Sequence, residues 1–366
     1  MTTAATILIR GAIALSFAGG ATARAQDAIL AAEESPSEAP AHVFFGEAWA
    51  GYDHVEGLPA GREDLDRVRT RLRLGVSWTP SPAWELVGSM RLALGSDDNR
   101  DNRRNNDNER SDGIGLDRLF VRWRAGEATS VLFGKAPMPL ELSPMLWDQD
   151  LRPAGISIDH SITLGDYDRL QFGGGWLAGQ GLYGDESRIV AAQLAWRWHE
   201  GAPTNAAVLL GYLGFSDLDE LTRQGLARTN TIVAGRLVED YRLLDLQLVG
   251  RTGTARWPVE ARLDLVRNLG ADDEQDGVRA SLRVGDALLP RAWEFGYVYQ
   301  NIQRDAVMAA FNSDDWWFHS ATRGHMLWAG YGIDETWSLR VSGFHEIRDG
   351  LREYTDRLTV DLLLRW

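Results

Sequence analysis

Leu358, Val360, Leu362, Leu364 and Trp366 alternate strictly with Arg357, Thr359, Asp361, Leu363 and Arg365 at the end of this chain. A period of two sends the first set to one face of a β-strand and the second to the other. Comparable apolar stripes recur at Leu72, Leu74, Val76 and Trp78, and at Trp84, Leu86, Met90 and Leu92. Others run through Val190, Ala192, Leu194, Trp196 and Trp198, and through Val278, Ala280, Leu282 and Val284. Trp293, Phe295, Tyr297 and Tyr299 make an aromatic stripe. In a transmembrane β-barrel the apolar face of such strands meets lipid, the charged face meets a wet lumen, and terminal rings join the interfacial girdle. A soluble β-sandwich also alternates, but it does not usually place indoles at so many strand ends.

The predicted architecture is therefore all-β, a transmembrane antiparallel barrel with short periplasmic turns and long extracellular loops. Thr79-Pro80-Ser81-Pro82, Ala125-Gly126-Glu127, Gly165-Asp166-Tyr167-Asp168 and Asp334-Glu335-Thr336 read as short turns. Residues 53–66, 96–113, 136–155, 216–227 and 304–323 read as long loops. Counting strands gives about 16, and a barrel of that size leaves an aqueous channel. In residues 230–251 the apolar parity flips between Leu237 and Leu244. One strand bulged near Glu239-Asp240 keeps the count even; a hairpin there would add a strand.

The N-terminus reads as a secretory signal, residues 1–25. Arg10 is basic, residues 11–21 are small and apolar, and Ala23-Arg24-Ala25 is a cleavage site before Gln26. Residues 26–40, rich in Ala, Glu, Ser and Pro, read as a disordered lead-in, and residues 41–366 as the barrel. The chain has no cysteine, 15 Trp and 38 Gly. Exported soluble domains often use disulfides, and this combination suits aromatic girdles around closely packed strands. The formal charge is −14, and −16 once Arg10 and Arg24 leave with the signal. An acidic total argues against a nucleic-acid partner.

Asp314-Asp315-Trp316-Trp317-Phe318-His319 precedes a Gly-rich strand at residues 324–332, followed by Trp337-Ser338-Leu339-Arg340. This segment resembles the closing hairpins of the Gram-negative putative porin family. Leu132-Phe133-Gly134-Lys135, followed by a Pro-rich loop, is similar to that family and to phosphate-selective porins. Asp264-Leu265-Val266-Arg267-Asn268 is a weaker patch of the same likeness. Alginate-export barrels are the near alternative. The resemblance implies an outer-membrane barrel that passes small hydrophilic solutes without chemistry or cofactor. The final strand, Leu358 to Trp366, looks like the signal that outer-membrane barrel assembly machinery reads. Homotrimers are common for barrels of this size, and lipopolysaccharide and outer-membrane lipids are the surroundings.

Arg67, Arg69, Arg71 and Arg73 are the sharpest constellation. Their spacing places four guanidinium groups on one face, and an arginine facing lipid costs roughly 2–4 kcal/mol near the midplane. They are expected to face the lumen. By parity Arg91, Arg118, Arg122, Arg124, Arg279, Arg283 and Arg340 point the same way, as do Arg197, Arg236, Arg262, Arg357 and Arg365. The lumenal acids by this rule are Glu85, Asp159, Asp245, Glu260, Asp264, Glu294, Glu346 and Asp361. Rings of Arg favour anions in pores; the alternative is that these arginines pair with carboxylates and stiffen the wall. Residues 136–155, with four prolines and with Glu141, Asp148, Asp150 and Arg152, form the candidate constriction, folded into the pore or lying over its rim.

Residues 97–112, rich in Asn and Asp, lack the glycine and glutamate of a calcium loop and are expected to form an external loop. Acidic loops such as Asp272-Asp273-Glu274 are either solvated or bridged by divalent ions to lipopolysaccharide. His319, near Asp314, Asp315 and Ser320, is the one conceivable hydrolytic dyad. No nucleophile motif accompanies it, so catalytic residues, metal and enzymatic activity are not expected.

Overall fold

The computed structural model describes residues 41–97, 107, 108, 110–179 and 186–366. The signal, the lead-in and most of the Asn/Asp-rich segment lie outside the described residues. Strands β1 (Ala41–Glu56), β2 (Leu65–Ser81), β3 (Trp84–Gly95), β4 (Gly113–Arg124), β5 (Thr129–Lys135) and β6 (Ala154–Leu164) begin the wall. β7 (Asp168–Ala178), β8 (Arg188–Trp198) and β9 (Asn205–Ser216) continue it. A two-stranded sheet, β10 (Ile232–Val233) and β11 (Arg236–Leu237), stands apart from it. β12 (Arg242–Gly253), β13 (Pro258–Asn268), β14 (Asp276–Gly285), β15 (Trp293–Ile302), β16 (Thr322–Gly332), β17 (Trp337–Arg348) and β18 (Thr355–Arg365) complete it.

Sixteen of these strands form one closed barrel in which β9 pairs with β12 and β1 pairs with β18. Closure removes every sheet edge, which a strand in hydrocarbon requires because no water is there to satisfy an open ladder. The seam runs from Glu47 opposite Arg365 to Glu56 opposite Asp356. It is locked by Trp366: the Gly46 and Trp366 amides donate to each other's carbonyls at 3.0 and 3.1 Å. A Cβ at Gly46 would lie 2.3 Å from the indole, so glycine lets the ring lie flat across the joint.

The expected single strand over residues 230–251 is corrected. β12 starts only at Arg242, and residues 217–241 form a long loop carrying a short helix, Asp219–Arg223, and the β10–β11 pair. The parity flip marks the change from an external hairpin to a wall strand. Arg236, assigned to the lumen, is exposed on β11 instead.

No helix among the described residues is long and apolar enough to cross a membrane; the crossing elements are strands. Their outward positions carry Leu74, Met90, Phe133, Trp176, Val190, Leu282, Trp293 and Leu358, all exposed. A large part of the buried apolar surface lies inside the barrel. Met138, Leu140, Met145, Leu146 and Trp147 pack with Met308 and Phe311 against inward-facing Ile189, Leu213, Leu243 and Val266. Two loops, residues 136–153 and 303–321, therefore fill one side of the lumen. Trp147 and Phe311 stack between them, with centroids 5.5 Å apart.

Candidate pore constriction

The β2 arginines face inward, and the period of two that aligns them also aligns their partners on β1. Glu47 lies opposite Arg73, and Asp53 opposite Arg67. Cross-strand opposite charges are the stabilising unit of a sheet face. Arg67, 2% exposed, donates from Nε to Asp53 Oδ2 at 2.8 Å and is paired with Asp107. Arg357 grips the same carboxylate from β18, at 2.7 and 3.0 Å. Arg69 Nη1 reaches Asp107 Oδ1 at 3.1 Å. Arg71 and Arg73 each donate to one oxygen of Asp150 at 2.7 Å, and both approach Glu47, at 3.4 and 3.3 Å.

The remaining arginines of the predicted lining also face in. Arg91 donates to the Arg110 carbonyl at 2.9 Å. Arg118 lies 3.3 Å from Asp117 and 5.8 Å from the Phe45 ring centroid. Arg122 and Arg124 share Glu85, at 2.7 and 3.1 Å. Arg279 donates to Gln300 at 2.9 Å, and Arg283 lies 3.4 Å from Glu260. Arg340 donates to Ser342 and stacks 4.6 Å over Trp328.

Residues 136–153 enter the barrel and are held on both walls. Glu141 accepts from Arg197 Nη2 at 2.7 Å and lies 3.4 Å from Arg262 Nη1. Its backbone is clamped by Gln193, which accepts from its N–H at 3.0 Å and donates to its C=O at 2.6 Å. Gln247 also donates to that carbonyl, at 2.9 Å. Farther along the loop, Asp150 crosses to Arg71 and Arg73, and Arg152 lies 3.5 Å from Asp117. Asp148 accepts from Asn108 Nδ2 at 2.7 Å. Two described residues of the Asn/Asp-rich segment thus reach inward, whereas Arg110 and Asp112 are exposed. Asp107 and Asn108 are buried, and Asn108 N–H also donates to Asp314 at 2.8 Å.

Between the β2 wall and these loops lies a cavity of about 160 Å³. Seven arginines line it: Arg69, Arg71, Arg73, Arg91, Arg110, Arg340 and Arg357. Six acids face them: Glu47, Asp148, Asp150, Asp314, Asp315 and Asp361. Burial pushes the Asp314 carboxyl up to about 7, with the nearby Asp107 charge adding to the effect. Burial, Asp314 and Asp150 hold Asp148 well above the ordinary carboxylate range. Burial alone would raise Asp150 too, but Arg71, Arg73 and Arg152 hold it well below. Counted with Asp53 and Asp107, which pair with Arg357 and Arg69, and with their shared partner Arg67, the arginines and acids balance at eight each, and the balance turns positive to the extent that Asp148 and Asp314 are neutral.

Three groups escaped the sequence reading. Glu47 and Asp53 share parity with Phe45, Trp49, Gly51 and Val55; extending the period of two back through residues 45–55 finds them. Asp117 turns inward because the β3–β4 register shifts between Ser89 and Met90, which strict parity cannot follow. The described contacts of the His319 imidazole are with Asn312, at 2.6 Å, and with Arg228. Among the described residues no group of His, Cys, Asp and Glu is arranged to hold a metal ion.

Sequence comparison matches residues 17–176 to a family described as putative porin. No curated protein sequence matches the chain. Solved barrels match in shape. OprB of Pseudomonas putida aligns at TM-score 0.56 and 11% identity, over 89% of this chain and 94% of that one. A loop-deletion mutant of Vibrio cholerae OmpT aligns at 0.55 and 10%, over 90% and 100%. Salmonella typhi OmpF in complex with daunomycin aligns at 0.55 and 12%, over 89% and 97%. At such identities the likeness concerns the fold.

Proposed function

We propose, from the premise that this chain is an outer-membrane, porin-like barrel matching the putative porin family over residues 17–176, that it passes small hydrophilic anions by passive diffusion. The observation that carries this reading is the set of seven arginines lining the cavity, while burial raises two of the six facing carboxyls, Asp148 and Asp314. In a narrow, water-poor passage a fixed positive field lowers the entry cost of anions and raises that of cations. Arg69, 21% exposed at its side chain, and Arg71, 14%, are the ladder members most open to a passing ion, whereas Arg67 is consumed by Asp53 and Asp107.

In this reading the infolded loop sets the bore. Solutes are drawn in at the outer loops, pass along the arginine wall beside the Asp150 contact, and leave at the periplasmic turns without any chemical step. The last strand, with Leu358, Val360, Leu362, Leu364 and Trp366 on its outer face, serves the assembly machinery. Lipopolysaccharide and outer-membrane lipids surround the barrel, and a homotrimer is the expected assembly. The test is zero-current potential across a KCl gradient in planar bilayers. Chloride preference is expected, and Arg69→Ala with Arg71→Ala should move it toward cations. Cation preference in the unaltered protein, or an unchanged potential in the double variant, overturns the reading.

A further inference from the structure

The cavity wall that bears the guanidinium groups is also aromatic. Trp49, on β1, lies across Gly51: a Cβ there would sit 2.3 Å from the indole ring. Glycine therefore lets the indole lie flat against the wall. Arg71 and Arg69 lie 5.3 and 5.6 Å from its ring centroid, and Trp49 Nε1 donates to Asp361 at 3.1 Å. The pairing repeats two strands farther round the barrel, where Arg357 lies 5.8 Å from the Phe344 centroid. Met326, on the next strand, adds a thioether to the same cavity. The strand order β2, β1, β18, β17, β16 makes this one continuous strip, with cations layered on rings.

An inorganic anion gains nothing from the carbon of Trp49, Phe344 and Met326. A wall built only to attract chloride or phosphate needs the guanidinium groups alone. We propose that this strip selects small carboxylates that carry an aromatic or other apolar body. The carboxylate meets the guanidinium edges of Arg69 and Arg71, and the body lies against the half-buried indole, with the buried Phe344 and Met326 completing the apolar lining. The inference rests on this cavity being the conducting path. Its physical basis is twofold. Guanidinium edges bind carboxylates through paired N–H donors. Loosely held water over an apolar face is released with gain when an apolar group replaces it. At about 160 Å³ the cavity holds on the order of ten water positions, enough for a single-ring acid.

The test uses sodium benzoate, sodium acetate and inorganic phosphate as probes of chloride current through single channels in symmetric KCl. Benzoate should halve the current at a concentration about tenfold below that needed of acetate or phosphate. Trp49→Leu should bring the benzoate-to-acetate ratio close to one, while Trp49→Phe should keep most of it. If Trp49→Leu does not give a folded barrel by heat-modifiable gel migration, Phe344→Leu replaces it, with a partial loss of the ratio expected. Equal potency of the three probes, phosphate as the strongest blocker, or a ratio indifferent to these substitutions overturns the proposal. Chloride preference without discrimination among the probes would retain the anion-channel reading and discard this one. Cation preference with benzoate still strongest would do the reverse.

Discussion

Glu141→Ala tests whether the infolded loop is held by its buried charge. Glu141 is 7% exposed, and its carboxylate lies between Arg197 on β8 and Arg262 on β13. Breaking a buried pair by removing one partner costs about 3–5 kcal/mol, much of it from the charge left behind. Arg262 keeps Asp264 at 2.7 Å, so the lower end, about 3 kcal/mol, applies. That raises the population of a displaced loop about 100-fold. Release is not complete, because the Glu141 backbone keeps three hydrogen bonds to Gln193 and Gln247, each worth about 1 kcal/mol net. The single variant should therefore show noisier and intermittently larger single-channel conductance. Adding Gln193→Ala and Gln247→Ala should make the larger conductance dominant. Thermal unfolding should fall by roughly 6 °C in the single variant, at about 2 °C per kcal/mol. A variant with the conductance, noise and unfolding temperature of the unaltered protein would refute the anchoring argument.

The Asp314 carboxyl, pushed up to about 7 by burial, is neutral below that pH and charged above it. Raising the pH from about 5.5 to 8.5 therefore adds a negative charge to the cavity and should weaken chloride preference. Asp314→Asn should flatten that dependence, and a flat profile in the unaltered protein would count against it. At the seam, Gly46→Val forces a side chain into the space of the Trp366 indole and costs roughly 1–3 kcal/mol. A lower temperature for loss of the folded band on heated gels is expected; an unchanged temperature would show that the ring does not brace the joint.

Barrel architecture was legible in the sequence because lipid and lumen impose opposite demands on alternate residues. That two-sided constraint is local and periodic, so it places Arg67, Arg69, Arg71 and Arg73 inside and Leu72 and Leu74 outside without any knowledge of neighbours. It failed where the backbone leaves strict alternation. Arg236 belongs to an external hairpin, Asp117 follows a register shift, and residues 217–241 have a structure of their own. It also left open whether the loop at residues 136–155 enters the pore.

Tertiary structure decided the chemistry of the interior. Glu141 meets Arg197 and Arg262, Asp150 meets Arg71 and Arg73, and Asp107 meets Arg67 only because loops far apart in sequence converge inside a closed wall. Parity says which way a side chain points; it says nothing about what stands opposite across the lumen. The net field at the constriction depends on those oppositions and on the burial that raises the Asp314 and Asp148 carboxyls above their ordinary range. Both are properties of a closed ring of strands, and neither is written in any one of them.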